Sequence, residues 1–328
     1  MFYTNELLIR PIFIAALAII SLFLISIVAF ALFSFVLTAI IIYTKTFVRT
    51  NPNKWSRDVP SSADKNQKKM YEDGIEFMKD YLDRIEEVHI ESEGFNLYGQ
   101  FFNNNSKKTV IIIPGRTEGA LYSYFYAKPY IEEGFNALFI DNRAHGLSDG
   151  RYNCVGLKEY KDIQNWAKFL EEKYNTETVV LHGICIGAAT SVYAKTFEGA
   201  PNVIKGLVTE GMYITFYETF KNHLVELRKP IFPFADLVML LFRLNSSIRP
   251  KKQGPIYCMD KVTCPILMLQ SNADIYSYPD KAEDLYVKCA SRDKEIVYFE
   301  DAPHSMIRLY HKDGYDLVIK QFLRKYFK

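Results

Sequence analysis

The sequence predicts an α/β protein, a mainly parallel sheet covered by helices on both faces and tethered through an N-terminal membrane segment. Three observations carry this expectation. Short β-rich runs at 109–113, 137–140, 178–181, 206–209, 266–269 and 295–299 are mostly separated by helical lengths at 121–133, 157–174, 186–197 and 279–290. That is the rhythm of parallel strands joined by crossover helices. Residues 12–43 hold no charge, glycine or proline. Finally, residues 177–199, ETVVLHGICIGAATSVYAKTFEG, pass from a β-branched run through Gly183-Ile184-Cys185-Ile186-Gly187 to Ala188, Ala189 and Ala194 at helical spacing. This reads as strand, sharp turn, helix.

Composition bounds the rest. The chain has 328 residues, 49% hydrophobic and 15% aromatic. With a membrane segment and a linker set aside, roughly 260 residues remain, enough for one large α/β domain with its own core. Lys+Arg (40) and Asp+Glu (38) nearly balance to a net charge of +2, which gives no footprint for nucleic acid. Five cysteines, Cys154, Cys185, Cys258, Cys264 and Cys289, are few, odd in number and irregularly spaced. They suggest neither a disulfide framework nor a zinc site, so no metal or cofactor is expected and a reducing compartment is the simpler expectation.

Taken in order, residues 1–11 form an N-terminal flank and 12–43 a transmembrane anchor, since a bilayer core needs about 20 apolar residues. A cleaved signal peptide fits badly. The apolar run is more than twice the usual length, and a cut after Ala29-Phe30-Ala31 would leave an apolar new terminus. Two short passes would need a reversal, and no turn residue marks one. Lys45, Arg49, Lys54 and Arg57 follow the segment whereas Arg10 precedes it, which favours a single pass with a cytoplasmic domain. Residues 44–85 are a linker and a connector helix. Pro52, Pro60 and Ser61-Ser62 mark a linker over 51–62 ending in a helix cap, and Met70, Ile75, Met78, Leu82 and Ile85 recur at helical spacing along a connector lying on the domain.

The remaining residues, 86–328, form the α/β domain. Strands at 87–92 and 95–102 are joined hairpin-fashion at Glu93-Gly94. The alternation then fails once, over 211–262. There Phe216, Phe220, Leu224 and Leu227 line one helical face, Pro230 and Pro233 break the chain, and 234–244 is apolar almost all round. The natural reading is a helical lid; the plainer one is that these residues complete the core. A greasy lid beside a membrane segment favours an acyl-chain or lipid-like substrate, with the bilayer as a partner through the N-terminal segment.

Chemistry centres on Cys185. A nucleophile at the apex of a tight strand-to-helix turn needs small residues two positions away on each side, and Gly183 and Gly187 supply them. A buried structural cysteine is the plainer alternative. A base is required, and of six histidines His304 stands out, in a loop after the last predicted strand and before a terminal helix. Asp274, just beyond the run 266–269, is the candidate orienting acid, and Glu210 the alternative. The order is nucleophile, acid, base. His304 and the N-terminus of the helix starting near Ile186 both present positive charge to the sulfur. The backbone N–H of Ile186 and that of Arg116, in the turn Pro114-Gly115-Arg116, are the candidate oxyanion donors.

At this point a family resemblance enters. Asp141-Asn142-Arg143-Ala144-His145-Gly146-Leu147-Ser148-Asp149-Gly150 resembles the D-x-R-x-H-G-x-S-x-G segment of α/β-hydrolase-fold enzymes. Asp141 and His145 in it are read as structural. Pro114-Gly115-Arg116-Thr117-Glu118 is most similar to the P-G-R-x-E turn of the lysophospholipase and monoacylglycerol lipase (serine aminopeptidase-like) group. The resemblance covers about 86–327. It implies an eight-stranded sheet, a triad of Cys185, Asp274 and His304, and oxyanion donors at Arg116 and Ile186. The chain departs from the group in carrying cysteine where serine is usual, as dienelactone hydrolases and polyhydroxyalkanoate synthases do. Its acid loop, Asn272-Ala273-Asp274-Ile275-Tyr276, also lacks the glycine or second small residue usual before the acid and the Val-Pro pair usual after it. The expected activity is hydrolysis of carboxylic esters or thioesters through an acyl-enzyme. The alternatives are an acyltransferase using the same thioester and an inactive scaffold.

Overall fold

Eight strands form one sheet: β1 (Ile85–Ser92), β2 (Phe95–Phe102), β3 (Lys108–Ile113), β4 (Asn136–Ile140), β5 (Thr178–Ile184), β6 (Ile204–Glu210), β7 (Ile266–Ser271) and β8 (Lys294–Phe299). The computed structural model describes residues 3–55 and 64–328. Within the sheet the order is β1-β2-β4-β3-β5-β6-β7-β8, antiparallel from β1 through β2 to β4 and parallel from there on. Alternation along the strands divides the core into two layers. Ile111, Leu138, Leu181, Leu207 and Met268 face one side, while Val110, Ile112, Phe139, Val180, Val208 and Leu267 face the other. Strand β5 runs three residues past its predicted end because its ladder with β6 continues through Gly183–Thr209 and Ile184–Glu210.

The helices are α1 (Tyr3–Phe47), α2 (Lys65–Met78), α3 (Ala120–Ser123), α4 (Lys128–Glu132), α5 (Tyr160–Tyr174), α6 (Ile186–Thr196), α7 (Phe216–Glu226), α8 (Phe234–Ser246), α9 (Pro279–Lys288), α10 (Ile307–Tyr310) and α11 (Lys312–Tyr326). The helix predicted over 121–133 is broken into α3, a 3-10 turn at Tyr124–Tyr126, and α4, with Pro129 in the first turn of α4 where its missing N–H costs nothing. The one predicted over 157–174 starts only at Tyr160. The approach is occupied by a turn in which Val155 and Gly156 take positive φ and the Glu159 carboxylate accepts from the N–H groups of Cys154 and Gly156.

Helix α1 is one continuous rod, so no reversal interrupts the apolar run. From Arg10 to Phe47 it is long and apolar enough to cross a membrane. Its last turns dock: Ala39, Tyr43 and Phe47, four residues apart, are buried, and the Phe47 ring packs on Phe242 (4.5 Å) and Phe216 (5.4 Å). The exit is fixed as firmly. The Lys54 ammonium donates to the carbonyls of Thr44 (3.0 Å), Lys45 (2.8 Å) and Val48 (2.5 Å), which caps the helix. Arg49 donates to the carbonyls of Gly146 (2.6 Å) and Ser148 (3.0 Å).

The linker predicted over 51–62 lies, from Ser56 onward, outside the described residues, as do Arg57 and the Ser61-Ser62 cap. Asp64 caps α2 instead, accepting from Asn66 N–H (2.7 Å). The face α2 turns inward is Met70, Gly74 and Met78 rather than Ile75 or Leu82. Gly74 sits so close to the chain at Phe125 that a Cβ there would fall 2.7 Å from its nitrogen.

Candidate active site

The turn between β5 and α6 holds Cys185 at φ 55° and ψ −110°, outside the regions an L-residue occupies without strain. Such a conformation costs about 1–3 kcal/mol and persists only where the surroundings impose it. Here they do. A Cβ on Gly183 would lie 2.2 Å from the Gly187 carbonyl oxygen, and one on Gly187 2.0 Å from that of Ile113. The backbone folds onto itself so tightly that both flanks must be glycine. The Cys185 N–H is held by the carbonyl of Glu210 (2.9 Å). Of the five cysteines only Cys185 is partly exposed. Burial pushes the thiols of Cys154 up to about 12 and of Cys258 and Cys264 up to about 11, which leaves them inert.

His304 reaches this turn from the loop after β8. Its Nδ1 donates to Asp274 Oδ2 at 2.6 Å, and the other oxygen of Asp274 accepts from the N–H groups of Tyr276 and Ser277 (both 2.8 Å). With Nδ1 committed to the carboxylate, Nε2 is the free ring nitrogen; it is buried and makes no aligned hydrogen bond. Burial works against a charged imidazole, but the Asp274 carboxylate and the Cys185 sulfur outweigh it and hold the His304 pKa well above the ordinary histidine value. The sulfur and the ring are therefore near enough to interact electrostatically. Glu210, the alternative acid, has both oxygens taken elsewhere, by Ile307 N–H (3.1 Å) and by the Tyr315 hydroxyl (2.7 Å).

Of the candidate oxyanion donors, Ile186 directly follows Cys185 at the start of α6, and Arg116 borders the same cavity as the sulfur. Among the described residues, neither the Ile186 nor the Arg116 N–H has a hydrogen-bond acceptor. The 141–150 segment holds the Arg116 turn in place. His145 Nε2 bonds the Arg116 carbonyl, Asn142 donates to the Pro114 carbonyl (3.1 Å), and the His145 ring stacks on Trp55 at 4.8 Å. Asp141 accepts from Ala120 N–H (2.7 Å) and Leu147 N–H (2.9 Å), so both it and His145 shape the loops around the site. The guanidinium of Arg116 turns back to α1, donating to the Thr46 carbonyl (3.4 Å). Burial pushes its pKa down and the nearby Cys185 sulfur pulls it back up.

A cavity of about 840 Å³ opens over these groups. Helices α7 and α8 contribute Phe216, Phe220, Leu224 and Phe234 to its lining, which also includes Ile186 and Met306. Helix α7 is not loosely hung: Thr219 and Asn222 both donate to the Tyr276 carbonyl (2.9 Å each), tying it to the loop that bears Asp274. Three residues at this site carry no sequence expectation of a role. His223 stacks on Tyr276 at 3.9 Å, and Tyr276 presents its plane at 85° to the His304 ring, 5.5 Å away. Burial pushes His223 down to about 4, so it lines the cavity uncharged. Glu118 is buried within electrostatic reach of His304, its carboxylate accepting from Gly115 N–H (3.2 Å), and burial raises its pKa. Sequence signals existed for two of them, the two-residue spacing of Tyr276 from Asp274 and the place of Glu118 at the end of the Pro114-Gly115-Arg116-Thr117-Glu118 turn, but neither assigned a role.

A profile of the α/β-hydrolase fold matches residues 108–260. In sequence the chain is 27% identical over 226 residues to YqkD, an uncharacterized protein of Bacillus subtilis (strain 168), across 67% of this chain and 72% of that one. In structure it is similar to the Pyrococcus furiosus esterase Pf2001, with a TM-score of 0.65 and 23% identity over 76% of this chain and 94% of that one. It is also similar to the esterase EaEST from Exiguobacterium antarcticum, with a TM-score of 0.55 and 15% identity over 72% of this chain and 99% of that one. At these identities the structural likeness speaks to the fold.

Proposed function

This chain has the α/β-hydrolase fold, and from that premise we propose that it is a membrane-anchored hydrolase of carboxylic esters or thioesters with lipid-like acyl groups. Cys185 is the nucleophile, His304 the base and Asp274 the orienting acid. The observation that carries the reading is the 2.6 Å bond from His304 Nδ1 to Asp274, which leaves Nε2 free beside a sulfur held on a strained turn. The sulfur attacks the ester carbonyl, and the oxyanion so formed is met by the N–H groups of Ile186 and Arg116. The His304 imidazolium gives its proton to the leaving alcohol or thiol. Water, deprotonated by the same ring, then cleaves the thioester. The apolar cavity wall of Phe216, Phe220 and Leu224 suits an acyl chain. The greater positive charge after the apolar run 12–43, at Lys45, Arg49 and Lys54, favours a cytoplasmic domain.

The test is hydrolysis of a p-nitrophenyl ester series by the purified full chain. Cys185→Ala and His304→Ala are each expected to lower kcat/KM by about 1,000-fold or more. A Cys185→Ala protein that turns over at the unaltered rate would remove the assignment.

A further inference from the structure

The cavity over Cys185 has a wall that does not come from the α/β domain. Thr38, Ile42, Lys45 and Thr46 of α1 line it together with Cys185 and His304. The apolar run 12–43 has 32 residues, about 48 Å of helix at about 1.5 Å per residue, against a hydrocarbon core of about 30 Å. About 18 Å, or three turns, is therefore surplus to crossing a bilayer. The burial pattern places that surplus at the C-terminal end. Residues 10–30 are all exposed, whereas Ala39, Tyr43 and Phe47 are packed into the domain. The docked turns are the same ones whose other side faces the cavity.

The end of the cavity nearest the span is built for a lipid boundary. Phe35 of α1 meets Phe234 edge-on at 5.8 Å, and Thr38 and Phe234 both border the cavity. The segment leading into α8 and the outer face of α8 carry apolar side chains that water would disfavour, with Phe232 79% and Leu244 71% exposed. Lys45 and Lys229 stand at the cavity's edge, where headgroup phosphates would meet them.

We infer that the last three turns of α1 form one wall of the acyl-binding site, and that the substrate is a bilayer-resident amphiphile that enters sideways between α1 and the 227–234 segment. The inference rests on reading α1 as a membrane span and Cys185 as the group the substrate meets. Ile42, whose side chain lines the cavity, is then a determinant of chain length as well as part of an anchor.

The test reads alkylation of Cys185, located by peptide mass, in full-length protein reconstituted into phosphatidylcholine vesicles. Alkylation needs an accessible sulfur and no turnover, so it stands apart from the hydrolase assignment. Two water-borne reagents, N-ethyl and N-dodecyl iodoacetamide, give a long-to-short rate ratio. Ile42→Trp is expected to lower that ratio about 10-fold, while Leu24→Trp, on the exposed part of α1, leaves it unchanged. A third reagent, an iodoacetamide on a two-chain phospholipid, cannot leave its bilayer. It is expected to label Cys185 when it shares the protein's vesicles and not when supplied in separate ones. An unchanged ratio in Ile42→Trp would overturn the wall. A sulfur labelled by N-dodecyl iodoacetamide but untouched by the phospholipid reagent in the same vesicles would overturn sideways entry. Labelling as expected from a protein that hydrolyses no ester would retire the hydrolase reading alone.

Discussion

Asp274 and Glu210 both lie at the carboxyl edge of the sheet and both are buried, yet only one meets His304. The difference is the face of the sheet. Glu210 is the last residue of β6, two places after Val208, so strand alternation sends its side chain to the same layer as Val208. That layer is covered by α11, and Tyr315 of α11 takes the carboxylate at 2.7 Å. Asp274 lies three residues beyond β7, free of alternation. Two backbone N–H groups pin one of its oxygens and turn the other to the imidazole. A carboxylate at a strand end is available for catalysis only if its local backbone aims it across the edge of the sheet.

The largest effect that can break this comparison is removal of the charge on Asp274. Asp274→Asn keeps the side chain's shape but presents an amide to Nδ1 and favours the wrong tautomer. By the triad precedent kcat should fall about 1,000- to 10,000-fold, with the thermal unfolding midpoint little changed. Steady-state ester hydrolysis measures it. A loss under about 10-fold would mean that another carboxylate, Glu210 first, can orient His304.

A smaller effect comes from the residue that joins the two regions. Gly211 follows Glu210 at φ +59°, and a Cβ there would lie 3.0 and 3.1 Å from Cε1 and Nδ1 of His304 and 3.4 Å from Asp274. Gly211→Ala should displace the ring by a few tenths of an ångström and lower kcat about 10- to 100-fold with KM nearly constant, since misplacement of that order is costly. Full activity in this variant would show that the ring has room the structure does not give it.

The same comparison shows what was legible in the sequence. Residue type and position after a strand singled out Cys185, His304 and Asp274 as candidates, of which the structure bonds His304 to Asp274, and Gly183 and Gly187 announced the turn, because the backbone approach there admits no side chain. Glu210 was open as an alternative because strand-end position alone does not say which face a residue takes; counting in twos from Val208 would have. The run 12–43 was legible as long and apolar enough to cross a membrane, but not as a helix whose last turns border the cavity. Docking depends on Phe47 meeting Phe216 and Phe242, which lie 169 and 195 positions further along the chain. His223 was missed for the same reason, and Glu118, though part of the Pro114–Glu118 turn, had no role assigned, since only the fold brings them to the cavity over Cys185.

The smallest effect on rate, and the sharpest separation of the two carboxylates, is expected of Glu210→Gln. Glutamine can accept from Ile307 N–H and donate to the Tyr315 oxygen, whose proton then goes to His182 Nε2, 3.0 Å away and kept neutral by burial with its pKa down to about 3. With that network kept, kcat should stay within about 3-fold of the unaltered enzyme. Stability should respond to pH instead. Burial lifts Glu210 from an ordinary 4.5 to about 7, against the hydrogen bonds from Tyr315 and Ile307. A carboxyl with a raised folded-state pKa gives its stabilisation fully below the unfolded value and loses it as pH rises through the folded one. Between about pH 4.5 and 7 the unaltered protein therefore loses on the order of 3 kcal/mol from this group, and the glutamine variant does not. Thermal unfolding of the pair at pH 5 and pH 8 measures it. The variant's midpoint should rise by several degrees relative to the unaltered protein on going to pH 8. A difference that is flat with pH would mean that Glu210 does not titrate between pH 5 and pH 8, and its separation from Asp274 would then rest on geometry alone.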